Sequence, residues 1–307
     1  MVTPSLFRIW ISAARLRTLP LSVAGIVAGN ALAIQHTDFS WILFGGTLLT
    51  AIAFQVLSNF ANDYGDGVKG TDNENRVGPK RVLQQNLLTK KTLFNGIILT
   101  GIIGLFLAVC TIVWAFGFEE IQGSLVFLGL SIAAIFAAYK YTAGKGAYGY
   151  HAMGDLFVFI FFGGLAVMGS YFLQTKALTP HIVWFALAIG LLSVGVLNLN
   201  NMRDMENDAA VGKKTIASLL GFGLAKSYHA VLLLFGSICL GVGLSQTADS
   251  LWHYCPIVVV MPLIIQLIKT FKTTNHIGFD VLLKPLAFTT FALSLLLFVT
   301  QLLMLCK

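Results

Sequence analysis

Charged residues are scarce in this chain, and the scarcity decides its broad class. Only 11% of the 307 residues are Asp, Glu, Lys or Arg, and 57% are hydrophobic, whereas a soluble domain carries about 25% charged residues. Such a chain cannot cover a water-facing surface. Because about 20 apolar residues span a bilayer as a helix, the sequence predicts a polytopic membrane protein.

Cysteine is rare too, and other familiar patterns are missing. None of the four cysteines forms a CxxC pair, which argues against zinc motifs and a disulfide framework. No alternating ten-residue pattern indicates a membrane β-barrel, and no soluble domain is left to bind nucleic acid. The N-terminus lacks a small-residue cleavage site, so we expect a basic, amphipathic lead-in. Five histidines without metal spacing are interpreted as interfacial: His36, His181, His229, His253 and His276.

Long apolar runs fill the chain instead. They predict an all-α, polytopic membrane helical bundle of about nine transmembrane helices around a central cavity, because helices satisfy their own backbone in lipid. Residues 1–307 form one predicted domain. The Gly-rich stretch FFGGLAVMG (161–169) predicts close helix packing. The predicted spans are 18–35, 40–62, 93–115, 122–140, 152–172, 181–201, 228–245, 254–271 and 285–305.

The basic residues predict how the bundle is oriented. With a cytoplasmic N-terminus, 18 of the 20 Lys and Arg residues fall in cytoplasmic segments, and only Lys176 and Lys307 fall outside. The positive-inside rule supports this arrangement. Most of the net charge of +7 is therefore an orientation signal.

A first acidic cluster ends the second span, in NFANDYGDGVKGTD (59–72). Asn59 and Asp63 are four residues apart, and Asp66 follows three residues later, so the three share one face of a helix. Asp72 lies beyond two glycines, where we expect the chain to have left the helix.

A second cluster ends the sixth span, in NLNNMRDMENDAAVGKKT (198–215). Asn200, Asp204 and Asp208 repeat the four-residue step and form one polar stripe. Four spans separate the two stripes, so their helices run in the same direction. The clusters at 59–72 and 200–214 therefore indicate a weak parallel internal repeat whose helices face one cavity.

Carboxylates gathered in one cavity must protonate or bind cations. Oxygen ligands of this kind suit Mg²⁺, which prefers to share its coordination shell with a substrate phosphate. Both clusters are followed by basic residues, as a diphosphate site requires and a pure cation site does not. The alternative is an ordinary solvated loop, since one DxxD motif alone is weak support. The basic residues are Lys69, Arg76, Lys80, Arg81, Lys213 and Lys214.

These motifs resemble the two aspartate motifs of the UbiA family of intramembrane prenyltransferases. The resemblance covers nearly the whole chain. The stretches AARLRTLPLSVAGIVAG, NDYGDGVKGTDNENRVGPKRVLQ and RDMENDAAVGKKTIA look like the branch that uses 1,4-dihydroxy-2-naphthoate. The resemblance implies a cavity open toward lipid, Mg²⁺ between the aspartates and a polyprenyl diphosphate, and an aromatic acceptor prenylated on a ring carbon. In this branch the prenyl group replaces the carboxylate, and carbon dioxide leaves.

The resemblance also implies roles for individual residues. Asp72 departs from the family spacing, with six residues instead of four after Asp66, which puts its ligand role in doubt. Asp63, Asp66, Asp204 and Asp208 would be catalytic. The metal ligands would be Asn59, Asp63, Asp66, Asp72, Asn200, Asp204 and Asp208. The substrate-binding residues would be Asn62, Lys69, Arg81, Lys145, Arg203, and Lys213 or Lys214.

The loop KYTAGKGAYGYHAMGD (140–155) offers further candidates. We interpret Lys145 as a contact to the acceptor or the diphosphate. We interpret Asp155 as a catalytic base or as a partner of a residue that contacts the substrate. The alternatives are an orientation lysine and a helix N-cap aspartate. Tyr141 and Tyr148 are interpreted as interfacial residues.

Three other functions fit part of the pattern. An ion-coupled transporter would also carry intramembrane acids, but its site would lie near the membrane midplane. A phosphatidyl-alcohol transferase shares the opening Asp63-x-x-Asp66-Gly67, but Lys69 and Gly70 break its motif. Within the family, the acceptor could be 4-hydroxybenzoate, haem or another molecule. The charge pattern and the absence of a targeting peptide predict a bacterial cytoplasmic membrane, with an organelle membrane as the alternative.

Overall fold

Helices account for nearly all of the regular structure in this computed structural model, which describes residues 5–74 and 76–305. In that part of the chain, nine helices are long and apolar enough to cross a membrane, as predicted. The first of the nine combines α1 and α2 through a 3₁₀ turn at Leu16–Thr18. The helices are α1 (Leu6–Ala14), α2 (Leu19–Ala33), α3 (Trp41–Lys69), α4 (Lys90–Phe116), α5 (Ile121–Lys140), α6 (Gly154–Thr175), α7 (Ile182–Ala210), α8 (Ile216–Thr247), α9 (Leu251–Lys272) and α10 (Asp280–Leu305).

The two motif-bearing helices continue past their apolar runs. α3 remains helical through Asp66 and ends at Gly70, whose φ of 77° gives the left-handed C-cap that glycine adopts without strain. Asp72 therefore lies beyond the helix, as predicted. α8 begins at Ile216, twelve residues before the predicted 228, because the helix continues across a kink at Gly221.

Two hydrophobic clusters hold the bundle together. One joins α2 and α6–α10, with α7 at its centre. The other joins α1, α3 and α4, and α5 packs against it. The central cavity draws its wall from both groups.

Close backbone approach binds α6 to its neighbours. A Cβ atom placed on Gly163 would lie 2.5 Å from the carbonyl oxygen of Ala186, and one on Gly29 would lie 2.1 Å from that of Val167. Only glycine fits at such contacts. The prediction of close helix packing for 161–169 is confirmed. Residues Phe159–Gly169 form a π-helix inside α6, which the sequence did not indicate.

The N-terminal lead-in is amphipathic, as predicted. α1 leaves Leu6 and Phe7 exposed and buries Ala13 and Ala14. Its C-cap residue, Arg15, has a positive φ of 50°, which turns the chain sharply into α2. This turn brings the side chain of Arg15 to the end of α3.

Candidate active site

A cavity of about 470 Å³ runs through the centre of the bundle. α3 lines it at every third or fourth residue from Thr47 to Asp66. At about 1.5 Å of rise per residue, this face extends ~28 Å, close to the thickness of the hydrocarbon core. The cavity therefore connects the acidic end of the bundle with its apolar interior.

The deep part of the cavity is apolar. Leu130 and Ala134 of α5 line it opposite Phe161 and Leu165 of α6. α5 is poorly covered by the rest of the protein, and Ala137 is its one buried residue. This part suits a long hydrocarbon chain, because it offers apolar walls and few polar groups.

The shallow part of the cavity brings the two motifs together. Asn59, Asn62 and Asp66 line it from α3, and Asn200 lines it from α7. This confirms that the two motif helices face one cavity. We call this region the polar end.

The two motifs also contact each other directly beyond the cavity wall. Asn207 of α7 donates a hydrogen bond of 2.9 Å from Nδ2 to the backbone carbonyl of Thr71, which follows α3. The ends of α3 and α7 therefore lie on the same side of the bundle. Whether the two motifs are a true internal repeat stays a prediction.

Arg81 is the basic residue with the most carboxylate partners. Its guanidinium lies 2.8 Å from Asp66, 3.2 Å from Asp72 and 3.5 Å from Asp63. Burial alone would lower the pKa of Arg81, but the carboxylates of Asp66 and Asp72 outweigh it and raise the pKa. Arg81 is therefore a fixed positive charge among the acids of the first motif.

Apart from Asp66, each predicted aspartate ligand also contacts a basic side chain other than Arg81, and these basic side chains line the cavity as well. Burial alone would lower the pKa of Lys213, but the carboxylates of Asp66 and Asp208 raise it, so the ammonium stays protonated. The pairs are Arg15 with Asp63, Arg76 with Asp72 at 3.1 Å, Arg203 with Asp204 at 2.7 Å, and Lys213 with Asp208 at 3.4 Å.

Tyr150 connects the first motif to the loop before α6. Its hydroxyl donates to Asp66 Oδ1 at 2.8 Å and contacts Thr71 Oγ1. Burial and the charge of Asp66 raise the pKa of Tyr150, which keeps the hydroxyl protonated as a donor. Lys69 lies over the Tyr150 ring, with Nζ 3.9 Å from its centroid. The sequence analysis did not identify Tyr150.

The donor atoms at the polar end fit a divalent cation such as Mg²⁺. Three buried carboxylate oxygens, Asp63 Oδ1, Asp72 Oδ1 and Asp208 Oδ2, face a cation without an aligned hydrogen bond. The second oxygen of Asp72, Oδ2, is buried and accepts no hydrogen bond within the described residues. Burial raises the pKa of Asp72, although Arg81 opposes it, so its carboxylate gains from a further cation. Across residues 5–74 and 76–305, no three acidic, histidine or cysteine side chains converge on one metal position. The carboxylate oxygens are of the type that Mg²⁺ prefers, and their convergence on one metal ion stays a prediction.

The two predicted asparagine ligands are already engaged. Asn59 donates from Nδ2 to the Ala14 carbonyl at 2.8 Å and to Thr18, and its Oδ1 accepts from Gln55. Asn59 therefore fastens the turn between α1 and α2 onto α3. Asn200 Oδ1 accepts a hydrogen bond of 2.8 Å from Arg203.

The predicted substrate-binding residues divide into two groups. Asn62, Arg81, Arg203 and Lys213 line the cavity. Lys69, Lys145 and Lys214 are exposed and are not part of its wall. Between the alternatives Lys213 and Lys214, the structure favours Lys213, because Lys214 instead pairs through its backbone with the 150–152 segment.

Asp155 is not part of the cavity wall, and neither are Asp63, Asp72, Asp204 and Asp208. The role of Asp155 as a base stays a prediction. Asp155 is buried and accepts a hydrogen bond of 3.0 Å from the hydroxyl of Tyr228 on α8. Its alternative role as N-cap is wrong, because Met153 holds that position and Asp155 lies in the first turn.

Some residues interpreted as interfacial also contribute to the interior. Tyr141 and Tyr148 line the cavity, and Tyr148 donates to the Ala137 carbonyl. His229 is fully buried between helices and His253 is also buried, although both were interpreted as interfacial.

The sequence analysis also missed four basic residues on the cavity wall. Arg15 and Arg17 had been counted as orientation charges, and Lys284 likewise. Arg76 was noted beside the first motif but not assigned a role. Only the high density of Arg in ARLR before an apolar run could have drawn attention to the first two.

Known proteins resemble this chain over most of its length. The sequence profile of the UbiA prenyltransferase family matches residues 22–276. The 1,4-dihydroxy-2-naphthoate octaprenyltransferase of Haemophilus influenzae is 42% identical over 84% of this chain and 83% of its own. The Escherichia coli protein of the same name is 39% identical over 80% and 79%. A solved UbiA homolog from Archaeoglobus fulgidus, bound to DMAPP and Mg²⁺, shares the fold, with a TM-score of 0.65, 16% identity, and coverage of 95% and 98%.

Proposed function

This chain belongs to the UbiA prenyltransferase family, and we propose that it prenylates 1,4-dihydroxy-2-naphthoate. It would transfer a polyprenyl group from polyprenyl diphosphate, releasing diphosphate and carbon dioxide and giving the demethylmenaquinol of menaquinone biosynthesis. The observation that carries the proposal is one cavity that joins a polar end, lined by Asp66 of the first motif and Asn200 of the second, to an apolar interior. The names of the two bacterial relatives support the choice of acceptor.

The diphosphate would bind at the polar end. Asp63, Asp66 and Asp72 of the first motif and Asp204 and Asp208 of the second would hold Mg²⁺, as the donor atoms permit. The Mg²⁺ would neutralise the charge that develops on the leaving diphosphate. In the Archaeoglobus homolog, DMAPP and Mg²⁺ are bound together.

The chain's own cations would assist the departure of the diphosphate. Arg81 and Lys213 line the cavity between the motifs, and both remain charged. Tyr150 keeps Asp66 oriented through its hydrogen bond. The apolar wall of α5 and α6 excludes water, which would otherwise capture the allylic cation.

The proposed reaction balances without a base for a ring proton. The allylic C–O bond breaks, and its electron pair leaves with the diphosphate. A new C–C bond forms at the ring carbon that bears the carboxylate. The bond to that carboxylate then breaks, its electrons restore the aromatic ring, and carbon dioxide departs. The position of Asp155, outside the cavity wall, is consistent with this sequence.

The protein is a multi-pass membrane protein. We place it in a bacterial cytoplasmic membrane, with the polar end facing the cytoplasm, because of its charge distribution and its bacterial relatives. The water-soluble acceptor would then enter from the cytoplasm, while the prenyl chain would stay among membrane lipids.

The test is turnover by the purified protein in detergent. 1,4-Dihydroxy-2-naphthoate and a polyprenyl diphosphate are supplied with Mg²⁺ or with EDTA, and prenylated naphthoquinol and carbon dioxide are measured. We expect equimolar products with Mg²⁺ only, and none from Asp63→Asn or Asp204→Asn. Asp38→Asn, an exposed aspartate outside the site, is the matched control. Product with 4-hydroxybenzoate but not with the naphthoate would mean that 4-hydroxybenzoate is the acceptor. Turnover in both aspartate variants would contradict the two-motif site.

A further inference from the structure

The basic residues of the cavity wall fall into two classes. Seven Lys and Arg side chains line the cavity. Five of them, Arg15, Arg76, Arg81, Arg203 and Lys213, form ion pairs with aspartates. Within the described part of the chain, Arg17 and Lys284 have no carboxylate within ion-pair distance.

Arg17 and Lys284 belong to the same corner of the polar end. Arg17 lies in the 3₁₀ turn before α2, and Lys284 lies in the first turns of α10, which packs against α2. Lys284 is four residues after Asp280, which contacts Arg203 at 2.7 Å. The charges of Arg203 and Asp280 also act on Arg17. We call Arg17 and Lys284 the unpaired corner.

We propose that the unpaired corner binds the carboxylate of the aromatic acceptor. The inference rests on the proposed function and goes beyond it, because it assigns a second anion subsite apart from the diphosphate. The reaction brings two anions into one cavity. The paired cations and the aspartates suit a diphosphate that arrives with Mg²⁺. A single carboxylate, by contrast, can bind Arg17 and Lys284 without breaking an existing ion pair.

The chemistry of the two side chains fits a carboxylate. The planar guanidinium of Arg17 presents two parallel N–H donors to the two oxygens of one carboxylate. Lys284 adds a compact charge on a flexible stem. With the carboxylate held at this corner, the ring would lie in the cavity, beside the wall residues Leu21 of α2 and Leu283 of α10.

The exposure of the corner fits the fate of the carboxylate. Arg17 and Lys284 both line the cavity and have exposed side chains. Exposed ion pairs are weak and screened by salt, so these cations bind the acceptor without strongly opposing the later loss of carbon dioxide. A buried ion pair would resist that step, because it would leave an uncompensated charge.

The experiment separates the two anions. Arg17→Gln, Lys284→Gln and the double variant are compared with Arg8→Gln and Lys90→Gln, which remove exposed charges outside the cavity wall. We expect the double variant to raise the KM for the naphthoate about tenfold, as two weak ion pairs permit. The KM for the diphosphate should stay unchanged. Lys284→Arg, which keeps the positive charge that Lys284→Gln removes, should have the wild-type KM for the naphthoate.

Binding without turnover supplies a second readout. The probes are 1-hydroxy-2-naphthoate and 1-naphthol, which differ only in the carboxylate. We expect the double variant to lose affinity for the first about tenfold and to keep its affinity for the second. Equal losses for both probes, no loss for either, or an increase in the diphosphate KM alone would overturn the inference.

The same assays distinguish failure of the inference from failure of the proposed function. A wild-type protein that consumes the naphthoate, with variants that behave like the controls, would refute the unpaired corner and leave the function intact. A wild-type protein that prenylates no aromatic carboxylate would refute both.

Discussion

Single side chains at the polar end show which parts of a site are readable from sequence. Asp63, Asp66, Asp204 and Asp208 follow from i, i+3 and i+4 spacing, because their relation is local to one helix. Arg15 contacts Asp63 from 48 residues away along the chain, and no local pattern carries that information. His229 was placed wrongly for the same reason, since only the packing of α8 buries it.

Tyr150 offers a test at the residue scale. Tyr150→Phe removes the hydrogen bond to Asp66 while keeping the ring beneath Lys69. We expect kcat/KM for the diphosphate to fall about tenfold, since a hydrogen bond to a charged group contributes about 1.5–3 kcal/mol. Steady-state kinetics check this, with the exposed Tyr254→Phe as control. Unchanged kinetics would mean that Asp66 needs no orientation from Tyr150.

At the scale of elements, apolar length predicted all nine spans, because a bilayer imposes a minimum length on every helix. Boundaries were less accurate where a helix leaves the apolar region. The first part of α8 carries mixed residues and a kink at Gly221, so the predicted span began too late. The π-helix within α6 left no sign in the sequence, because its composition also suits an α-helix.

Close packing of α2 on α6 gives a prediction about stability. Gly29→Ala would place its Cβ 2.1 Å from the carbonyl oxygen of Val167, so the two helices must separate. Overpacking typically costs about 1–3 kcal/mol. We expect a lower midpoint of thermal unfolding in detergent. Gly129→Ala on α5 meets no atom within 4 Å and should leave the midpoint unchanged; equal midpoints for both variants would contradict the packing.

For the whole molecule, the bias of basic residues predicts the orientation in the membrane. An odd number of spans within residues 5–74 and 76–305 places the start of α1 and the end of α10 on opposite sides. The assembly of both motifs at one end of the bundle agrees with that direction. The orientation itself depends on insertion into a real bilayer, so it stays a prediction.

Reporter fusions test the orientation. Alkaline phosphatase fused after residue 307 should be active, and a green fluorescent protein at the same place should be dark. Fusions after Lys272, between the eighth and ninth spans, should give the opposite result. The reverse pattern at both positions would show that the protein is inserted in the opposite orientation, with the polar end outside the cytoplasm.

The ion pairs of the polar end have a practical consequence for handling the protein. Each of the five motif aspartates already contacts an arginine or a lysine of the same chain. The fold therefore does not depend on an added metal to relieve repulsion between the carboxylates. Purification in a chelator should leave the protein monodisperse. Activity lost in EDTA can then be attributed to the chemistry, and restoring Mg²⁺ to the same sample should return it in full.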